Sequence, residues 1–407
     1  MNYEEAVAWL YAAQLHGIKL GLENIRRLVA ALGVRLEELK FLHVAGTNGK
    51  GSVCAMLDAI CRADGRRTGL FTSPHLVTFR ERICVDGEMI SEDEVARGLN
   101  ELRALTSDWD HAPTFFELTT ALALAHFQRA KCEVVVLETG MGGRLDATNV
   151  VTPAVSVITP IALDHQQWLG ATLAEIAAEK AGIFKPDAPV VSAPQADEVA
   201  GIFRLHARET GTLVLEFIDA PWTAGAVSLA GSHQQWNAAL AVRALALAGI
   251  GVERDRVARA LREVQWPGRF QKHGDRFVLD GAHNPAAAVR LVETWHEVFG
   301  NEKATLVLGV LADKDLRAIC AALLPLAARV IAVPVRSPRS CPAEDVRAAV
   351  CELLPEMPCA ACENLETALG DAAAHSERAL ICGSLFLVGE ALAHLDAQGA
   401  WPEVSAQ

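Results

Sequence analysis

The feature that most constrains this chain is a glycine-rich stretch, Gly46-Thr-Asn-Gly-Lys-Gly-Ser52, between two apolar runs. The run from Phe41 to Ala45 has the length of a short buried strand, and the run after Ser52 has the 3.6-residue spacing of a helix. A glycine turn between strand and helix gathers free backbone N–H groups at the positive end of the helix dipole. Lys50 adds a positive charge, and the Ser52 hydroxyl is able to bind Mg²⁺. The stretch predicts a nucleotide site.

This stretch departs from the strict phosphate-loop pattern G-x-x-x-x-G-K-[ST] in two places. Val44 occupies the position of the first glycine, and Gly51 separates Lys50 from Ser52. The alternative interpretation is a glycine-rich connection that binds nothing. Such a connection requires neither a lysine nor a hydroxyl, so the residue types favour a nucleotide.

Length and composition limit the class of protein. The 407 residues exceed the roughly 250–300 at which a single core stops growing, which predicts two domains. A hydrophobic content of 51% and a charged content of 21% are those of a globular enzyme rather than a disordered protein. The net charge of −13 argues against nonspecific binding to nucleic acid or anionic lipid.

No signal for export or membrane insertion is expected from the sequence. The N-terminus lacks a basic region followed by an apolar core, and no uncharged apolar run reaches about 18 residues.

The ten cysteines are scattered through apolar segments, and the C-x-x-C pair Cys359 and Cys362 has no second pair and no nearby histidine. We expect reduced thiols and a cytoplasmic protein.

Strand-like apolar runs alternate with helical patterns along the chain. This alternation predicts an α/β fold with a parallel sheet and helices on both of its faces. It is interrupted at Gln265-Trp-Pro-Gly-Arg-Phe270, where proline and glycine end a helix, and it restarts with a strand at Arg276–Asp280. We predict an N-terminal domain over 1–268 and a smaller, Rossmann-like α/β domain over 269–407.

Polar side chains follow predicted strands at the edge where α/β sheets bind ligands. Glu138 ends the run Val-Val-Val-Leu, and a carboxylate opposite a phosphate loop is a natural Mg²⁺ ligand. The alternative for Glu138 is an ordinary polar residue that leaves the sheet. His165, which follows Asp164 after the next strand, is a candidate second ligand, although a lone histidine is more often structural.

Lys180 stands out because it lies near the end of an otherwise apolar helix. Burying an unpaired ammonium would be costly. Either the side chain extends to solvent, or its charge is neutralised chemically or by a partner.

Three other segments contain polar groups at turns after strands. The glycine-rich segment 140–149 suits a polar heterocycle or a phosphate, and the alternative is a surface loop. In the second domain, Arg269 and His283 are candidates for phosphate contacts across a domain cleft, and the segment 311–315 is another candidate to face that cleft. Each has a structural alternative when it is taken alone.

Together these segments resemble the folylpolyglutamate synthase and dihydrofolate synthase family, within the Mur ligase superfamily. They occur in the order of the family and cover nearly the whole chain. A mild departure is Thr-Gly-Met after Glu138, where family members often have Val-Gly-Leu. The matching segments are Gly46–Ser52, Thr72–His75, Glu138–Asn149, Leu163–His165, Glu179–Phe184, Trp266–Arg269, Asp280–Pro285, Asp313–Asp315 and Gly383–Phe386.

The resemblance implies an ATP-dependent ligase with a Mur-ligase-like, phosphate-loop-containing N-terminal domain and a C-terminal glutamate-ligase domain. Such an enzyme forms an amide between a pteroyl carboxylate and L-glutamate through an acyl phosphate. The bacterial type that the sequence favours joins glutamate first to dihydropteroate and then to reduced folates. Its partners are small-molecule substrates, with no nucleic acid and no membrane, and a monomer is expected.

The resemblance also implies roles for individual residues. Lys50 holds the transferring phosphate, Ser52 and Glu138 bind one Mg²⁺, and His165 helps to bind a second. Lys180 matches the carbamylated lysine of the family, which turns a buried cation into an anionic metal ligand. Lys50, His165 and Lys180 are therefore the implied catalytic residues.

Further residues are implied to contact the substrates. Asn237 matches the adenine contact, Arg269 and Asp280 match contributions of the second domain to ATP, and the Thr72–His75 loop resembles the mobile loop over the active site. The Asp313–Lys314 pair is placed near glutamate or phosphate. The implied ATP contacts are Thr47, Asn48, Gly49, Lys50, Gly51, Ser52, Asn237, Arg269 and Asp280, and the implied pterin contacts are Ser73, Pro74, Thr114, Phe116 and Asp146.

Three alternatives stay open at this point. A synthase with only one of the two activities shares the same segments. A phosphate-loop NTPase switch would leave the second domain unexplained. A cell-wall Mur ligase usually carries an additional N-terminal domain for its nucleotide sugar, and here only about 40 residues precede the phosphate loop.

Overall fold

Two sheets organise the computed structural model, which describes residues 1–16, 21–375, 377–396 and 403. The strands of the first sheet are β1 (Lys40–Ala45), β2 (Thr68–Phe71), β3 (Ile83–Val85), β4 (Glu88–Met89), β5 (Val134–Glu138), β6 (Val155–Ile158), β7 (Pro189–Ser192) and β8 (Val214–Phe217). They lie in the order β4-β3-β2-β5-β1-β6-β7-β8. Pairing is parallel from β2 to β8, and β3 and β4 add an antiparallel hairpin at one edge.

The second sheet has six strands, which are β9 (Gln271–His273), β10 (Phe277–Leu279), β11 (Ala304–Leu308), β12 (Ala327–Ala332), β13 (Cys359–Ala361) and β14 (Ala379–Cys382). Their order is β13-β12-β11-β14-β10-β9, and β9 and β10 form the antiparallel pair. The parallel strands β10, β11 and β14 are neighbours, so the turns that follow them meet at one edge.

Helices connect these strands and cover the sheets. In the N-terminal part they are α1 (Tyr3–Ala12), α2 (Glu23–Ala31), α3 (Lys50–Ala63), α4 (Glu92–Thr106), α5 (Phe115–Arg129), α6 (Gln166–Leu169), α7 (Leu173–Ala181), α8 (Asp197–Thr210), α9 (His233–Leu247) and α10 (Arg254–Glu263). In the C-terminal part they are α11 (Pro285–Phe299), α12 (Leu316–Leu323), α13 (Ala343–Leu353), α14 (Leu365–His375) and α15 (Leu385–Leu395).

Strand β5 shows why this sheet is covered on both faces. Successive side chains of a strand point to opposite faces. Val135 and Leu137 pack into a core with α1, α2, α4 and α5, whereas Val134 and Val136 pack into a second core with α3, α9 and α10. Because both faces are buried, the strand reads as a continuous apolar run, as parallel strands do.

The predicted α/β fold is confirmed, with differences at element ends. The strand predicted at Thr68–Thr72 ends at Phe71, and the strand predicted at Arg276–Asp280 spans Phe277–Leu279. The sequence did not predict β9 or β13. The domain boundary at 268/269 stays a prediction, and the predicted helix break at Gly17 lies outside the described residues. Among the described residues, no helix is long and apolar enough to span a membrane.

Candidate active site

The predicted phosphate loop lies at the carboxyl end of β1, next to the ends of β5 and β6. Gly46 has a φ of 143°, and a Cβ at this position would lie 1.9 Å from the Thr159 Oγ1 atom. Gly49 has a φ of 90° and immediately precedes α3, which begins at Lys50. The first N–H groups of a helix have no intrahelical partner, so the turn presents donors suited to an anion.

The tip of the loop is fastened to the segment after β6. The N–H groups of Thr47 and Asn48 donate to the Pro160 carbonyl at 3.0 and 3.3 Å. The Thr47 hydroxyl donates to the Ala162 carbonyl at 3.1 Å. Because these two N–H groups are used inside the protein, Gly49 and the first turn of α3 supply the other backbone donors of the loop.

Helix α9 packs against the loop from the other side. The Asn237 side chain lies beside Gly49, and its amide donates to the Gln234 Oε1 atom at 2.9 Å. The Gln234 amide in turn lies 3.5 Å from the buried Ser52 hydroxyl. Lys50 folds back so that its ammonium donates to the Thr47 carbonyl at 3.2 Å. Asn237 therefore contacts the loop itself, and Gln234 is a neighbour of Ser52 that the sequence did not single out.

Glu138 ends β5 directly beside the loop, opposite Val44 of β1. Its carboxylate is buried and accepts a hydrogen bond from the Ser73 N–H at 3.0 Å. Burial raises the pKa of Glu138, and the nearby positive charges of Lys50, Arg269 and Arg82 oppose that rise, as does the Ser73 hydrogen bond. A buried carboxylate among cations has the character of a cation or phosphate site.

The Lys180 side chain extends from α7 to the phosphate loop. The side chain is buried, and its ammonium donates to the Gly46 carbonyl at 2.6 Å, so the alternative that it extends to solvent is wrong. Burial lowers the pKa of Lys180 to about 7, with a further lowering from Lys50 and an opposing effect of Asp164 and Asp146. A substantial fraction of the amine is therefore neutral at physiological pH.

His165 lies farther along the segment after β6, where the chain turns into the short helix α6. It has a φ of 52°, in the left-handed region that non-glycine residues rarely adopt. Burial lowers the pKa of His165 to about 3, and the charges of Lys314, His283 and Lys180 lower it further against the effect of Asp164. A neutral imidazole is the form that binds a metal ion.

A polar cleft separates this segment from the second domain, and Asp164 lies at its centre. The Asp164 carboxylate accepts from the Lys314 ammonium at 2.6 Å and from the Asn284 amide at 3.2 Å. The His283 Nε2 atom is 3.5 Å away and the His165 Nε2 atom 3.9 Å away. Although burial alone would raise it, the pKa of Asp164 is held well below its usual range by His283, His165 and Lys314. The cleft is lined by Leu163–Gln167, His283–Pro285 and Asp313–Asp315.

The phosphate loop itself also contacts the second domain. The side-chain amides of Asn48 and Asn284 donate to each other at 3.2 and 2.9 Å. Asn284 additionally caps α11 by accepting from the Ala287 N–H at 2.9 Å. The start of α11 is thereby held against the tip of the loop.

Arg269 and Asp280 lie together at the start of the second domain. The Asp280 carboxylate accepts from the N–H groups of Phe270 and Ala282, each at 2.8 Å, which fixes the turns on either side of it. Burial raises the pKa of Asp280, against the effect of the Arg269 charge and these hydrogen bonds. The Arg269 guanidinium donates to the Gly268 carbonyl at 3.1 Å. Its charge also opposes the rise in the pKa of Glu138, at the end of β5.

The residues predicted to contact a pterin are distributed around the end of β5. The Phe116 ring packs against Gly140, where a Cβ would lie 2.5 Å from the ring, and against Phe71 with ring centroids 5.8 Å apart. Thr114 caps α5 through a reciprocal pair of hydrogen bonds with Glu117. Asp146 is buried and accepts three hydrogen bonds from its own loop, so its carboxylate is largely satisfied within the protein. Its direct contact with a substrate stays a prediction.

Ser73 and Pro74 are joined by a cis peptide bond. Their loop is fixed by hydrogen bonds of the adjacent His75 to Arg82 and Glu403. The Arg82 guanidinium donates to His75 Nδ1 at 2.8 Å, so His75 Nε2 carries the proton that it donates to the Glu403 carbonyl at 3.0 Å. The Glu403 carboxylate accepts from the Phe79 N–H at 2.6 Å. The sequence did not identify Arg82 or Glu403, because neither lies in a motif that points to a ligand.

Comparison with known proteins places the chain in a family. The Mur ligase middle domain model matches residues 44–218, and the model of the Mur ligase, glutamate ligase domain matches residues 268–385. The chain is 38% identical over 96% of its length to a probable bifunctional folylpolyglutamate synthase/dihydropteroate synthase of Halobacterium salinarum. The chain spans about half of that relative, 51%, and 41% of a second halophile's protein of the same name. It is 35% identical to the dihydrofolate synthase/folylpolyglutamate synthase of Bacillus subtilis, over 84% of this chain and 88% of the relative.

Solved structures agree with these matches. Escherichia coli FolC in complex with DHPP and ADP superposes with a TM-score of 0.88 at 32% identity, over 97% of this chain and 98% of that one. A bifunctional folylpolyglutamate synthase/dihydrofolate synthase of Yersinia pestis, complexed with AMPPNP and Mn ion, gives 0.86 at 31% identity, over 97% and 98%. The chain therefore belongs to the folylpolyglutamate synthase and dihydrofolate synthase family, within the Mur ligase superfamily.

Proposed function

We propose that this protein is an ATP-dependent ligase that joins L-glutamate to dihydropteroate and then to reduced folates. The observation that carries the proposal is the convergence of Lys50, Ser52, Glu138 and Lys180 at the carboxyl ends of β1 and β5 and the adjoining end of α7, facing the second domain. Family membership and the nucleotide-bound relatives support the same reaction.

The chemistry explains why these residue types are needed. A carboxylate is a poor electrophile, so the terminal phosphoryl group of ATP is first transferred to it, which gives an acyl phosphate and ADP. The amine of glutamate then attacks the acyl carbon, phosphate leaves, and the amide forms with loss of a proton. Lys50 and the N–H groups at the start of α3 hold the transferring phosphate, and positive charge stabilises its oxygens.

The residues present fit a divalent cation beside the nucleotide. Ser52 and Glu138 supply one hydroxyl and one buried carboxylate, and Mg²⁺ commonly takes one or two such protein ligands together with phosphate oxygens. Bound there, the ion would neutralise charge that develops on the phosphate. His165 and a modified Lys180 would hold a second ion. A relative crystallised with AMPPNP and Mn ion supports a divalent metal in this family.

Lys180 would act in carbamylated form. Its neutral amine adds to CO₂: an N–C bond forms, one C–O π bond becomes an anionic oxygen, and the nitrogen loses a proton to solvent. The lowered pKa of Lys180 supports this reaction because only the neutral amine is a nucleophile.

The remaining assignments complete the proposal. Gly49, Gly51 and the first turn of α3 would donate to the phosphates. Thr47 and Asn48, whose N–H groups donate to the Pro160 carbonyl, would border the nucleotide through their side chains. Asn237 would contact the adenine side, and Arg269 and Asp280 would contact the nucleotide from the second domain. Ser73, Pro74, Thr114, Phe116 and Asp146 would surround the pteroyl group. We further propose a monomeric, cytoplasmic enzyme with domains over 1–268 and 269–407.

The first test is glutamate-dependent phosphate release from ATP, with dihydropteroate and tetrahydrofolate compared as acceptors. Release with both acceptors is expected. Release with tetrahydrofolate alone would replace the proposal by a folylpolyglutamate synthase with one activity, and release with neither would contradict the assigned substrates.

Two substitutions test the site itself. Lys50→Ala is expected to abolish phosphate release without unfolding the protein, and Lys131→Ala, an exposed lysine in the turn after α5, is the matched control. Glu138→Gln is expected to raise the Mg²⁺ concentration needed for half-maximal rate. An unchanged magnesium titration would remove Glu138 from the metal site.

A further inference from the structure

A histidine lies inside the central part of the first sheet, in the strand that leads into the phosphate loop. His43 of β1 is fully buried between the apolar residues Leu42 and Val44. An imidazole in such surroundings costs free energy unless its polar atoms are hydrogen-bonded. Its partner is the Thr148 hydroxyl, with 2.8 Å between His43 Nε2 and Thr148 Oγ1.

The direction of each hydrogen bond in the series His43, Thr148, Asp146 follows from the carboxylate of Asp146. Asp146 Oδ1 accepts from the Thr148 N–H at 3.0 Å and Oδ2 accepts from the Met141 N–H at 2.9 Å, so both carboxylate oxygens act as acceptors. Thr148 Oγ1 lies 2.5 Å from Asp146 Oδ1, and the hydroxyl therefore donates to this oxygen. The hydroxyl has one proton, so His43 Nε2 must donate to it. The Nδ1 atom is then an acceptor, and within the described residues it has no hydrogen-bond partner. His43, Thr148 and Asp146 thus form a buried relay of donors that ends on a carboxylate.

Charges around the relay agree with this direction. Burial lowers the pKa of His43 to about 3, and Lys185 adds to that effect, so the imidazole is neutral. Burial raises the pKa of Asp146, whereas the hydrogen bonds from Thr148 and Met141 lower it. The charge of Asp146 in turn raises the pKa of Lys180 on α7, against the effect of burial. The donors of its own loop therefore oppose the effect of burial on Asp146.

Asp146 in turn shapes the loop that follows Glu138. Its carboxylate accepts from the Met141 N–H at 2.9 Å, and its own N–H donates to the Gly143 carbonyl at 3.2 Å. Within this loop Gly140 packs against the Phe116 ring, and Gly143 packs against the carbonyl groups of Glu179 and Lys180. Displacement of Asp146 would therefore move both the predicted acceptor pocket and the backbone next to Lys180.

We propose that His43 and Thr148 are positioning residues that hold the Asp146 carboxylate in place, and so preserve the shape of the Gly140–Asp146 loop for the pteroyl acceptor. This inference rests on the proposed function. It assigns a role to a core histidine of β1 that touches neither nucleotide nor acceptor. The relay also joins the strand of the phosphate loop to the loop of the acceptor.

The test replaces Thr148 by valine, which keeps the shape and removes the hydroxyl, and by serine, which keeps the hydroxyl. Binding of dihydropteroate to each full-length variant is measured in the presence of a nonhydrolysable ATP analogue, together with the KM and kcat of glutamate-dependent phosphate release. We expect Thr148→Val to weaken acceptor binding by about tenfold to a hundredfold, the range for losing a hydrogen bond to a buried charge. Thr148→Ser should stay within about threefold of wild type.

The pH dependence separates positioning from general damage. Without the Thr148 hydroxyl the pKa of Asp146 rises further, so the carboxylate is protonated at a higher pH. The acid limb of acceptor binding should therefore move to higher pH in Thr148→Val and stay in place in Thr148→Ser. His43→Gln, which keeps an amide donor, should bind the acceptor better than His43→Leu.

The outcomes distinguish this inference from the proposed function. No acceptor binding by the wild-type protein would contradict the proposed function itself. Normal wild-type binding with equal acceptor affinity in Thr148→Val and Thr148→Ser would overturn the relay. Equal weakening of the nucleotide analogue and the acceptor in Thr148→Val would also overturn it, because the effect would then be a general loss of structure.

Discussion

The first and second domains each contribute a lysine whose side chain is largely removed from solvent near the candidate site, and the two lysines have different kinds of partner. Lys180, on the first domain, donates to the Gly46 backbone carbonyl at 2.6 Å. Lys314, on the second domain, donates to the Asp164 carboxylate at the same distance. A carboxylate supplies a full opposite charge to an ammonium, whereas a carbonyl group supplies only the partial charge of its dipole. Lys314 is thus suited to joining the domains as a cation, and Lys180 is suited to chemistry that changes its charge.

The largest expected effect comes from removing the Lys180 amine. Lys180→Ala should reduce glutamate-dependent phosphate release by roughly a thousandfold, because metal-held charge contributes several kcal/mol to a transition state and about 1.4 kcal/mol is a factor of ten. Acetate should restore part of the rate by supplying the missing carboxylate. The measurement is the initial rate with and without acetate.

Lys314→Ala is the matched control for that rescue. The group lost there is a cation, so acetate should leave its rate unchanged. Equal rescue of both variants, or rescue of neither while ADP binding is intact, would contradict the distinction between the two lysines.

A smaller effect is expected from breaking the ion pair between the domains. Lys314→Met leaves the Asp164 carboxylate without its closest partner and should lower the free energy of unfolding by roughly 1–3 kcal/mol. In a double-mutant cycle the variant Asp164→Asn with Lys314→Met should lose less than the two single variants together. The measurement is urea denaturation at pH 7, and strictly additive losses would show that the pair does not join the domains.

The pH dependence of carbamylation distinguishes Lys180 from a lysine with an ordinary pKa. With a pKa of about 7, the neutral fraction of Lys180 should rise severalfold between pH 6 and pH 8, whereas an ordinary lysine with a pKa of 10.5 stays almost fully protonated in that range. At fixed dissolved ¹³CO₂, a carbamate carbon signal should therefore grow as the pH rises through 7 and should be absent in Lys180→Ala. A signal that appears only above about pH 9 would mean that the amine is not activated.

The smallest expected effect concerns the amide pair between Asn48 and Asn284. Asn48→Ala, and Asn284→Ser, which retains a capping oxygen for α11, should each raise the KM for ATP severalfold, since a neutral hydrogen bond contributes about 1 kcal/mol. Their effects should be less than additive because both variants remove the Asn48–Asn284 contact, and Asn284→Ser should have the larger effect because it also removes the hydrogen bond to Asp164. Additive effects would show that the two amides act independently.

The sequence predicted the phosphate loop and its neighbouring strands because their signals are local. Three glycines, a lysine and a hydroxyl at fixed spacing describe the turn, and Val-Val-Val-Leu-Glu describes a strand buried on both faces. The strand β9, Gln-Lys-His, was missed because a polar edge strand has neither an apolar run nor alternation. The strand β13 has only three residues, Cys-Ala-Ala, which give no distinct pattern.

Residues that act through partners distant in sequence could not be predicted. Asp164 was noted only as the neighbour of His165, yet it binds Lys314 from 150 positions away. Gln234 and His43 were not identified, because a glutamine on a helix and a histidine in a strand have no motif of their own. For Asp146 the family resemblance implied a direct contact with a pterin, which stays a prediction. The structure adds that its carboxylate accepts three hydrogen bonds from its own loop.

The sequence by itself determined the α/β alternation and the anion-binding turn, because both depend on residue types at short spacing. It also indicated the family, because the matching segments occur in the order of the family along nearly the whole chain. It also showed that Lys180 is a charge in apolar surroundings. Only the tertiary structure decided that the Lys180 ammonium donates to the Gly46 carbonyl and that the Asp164 carboxylate pairs with Lys314 of the second domain. The physical reason is that desolvation and hydrogen bonding depend on which surfaces meet in space, and the spacing of residues along a chain does not specify those surfaces.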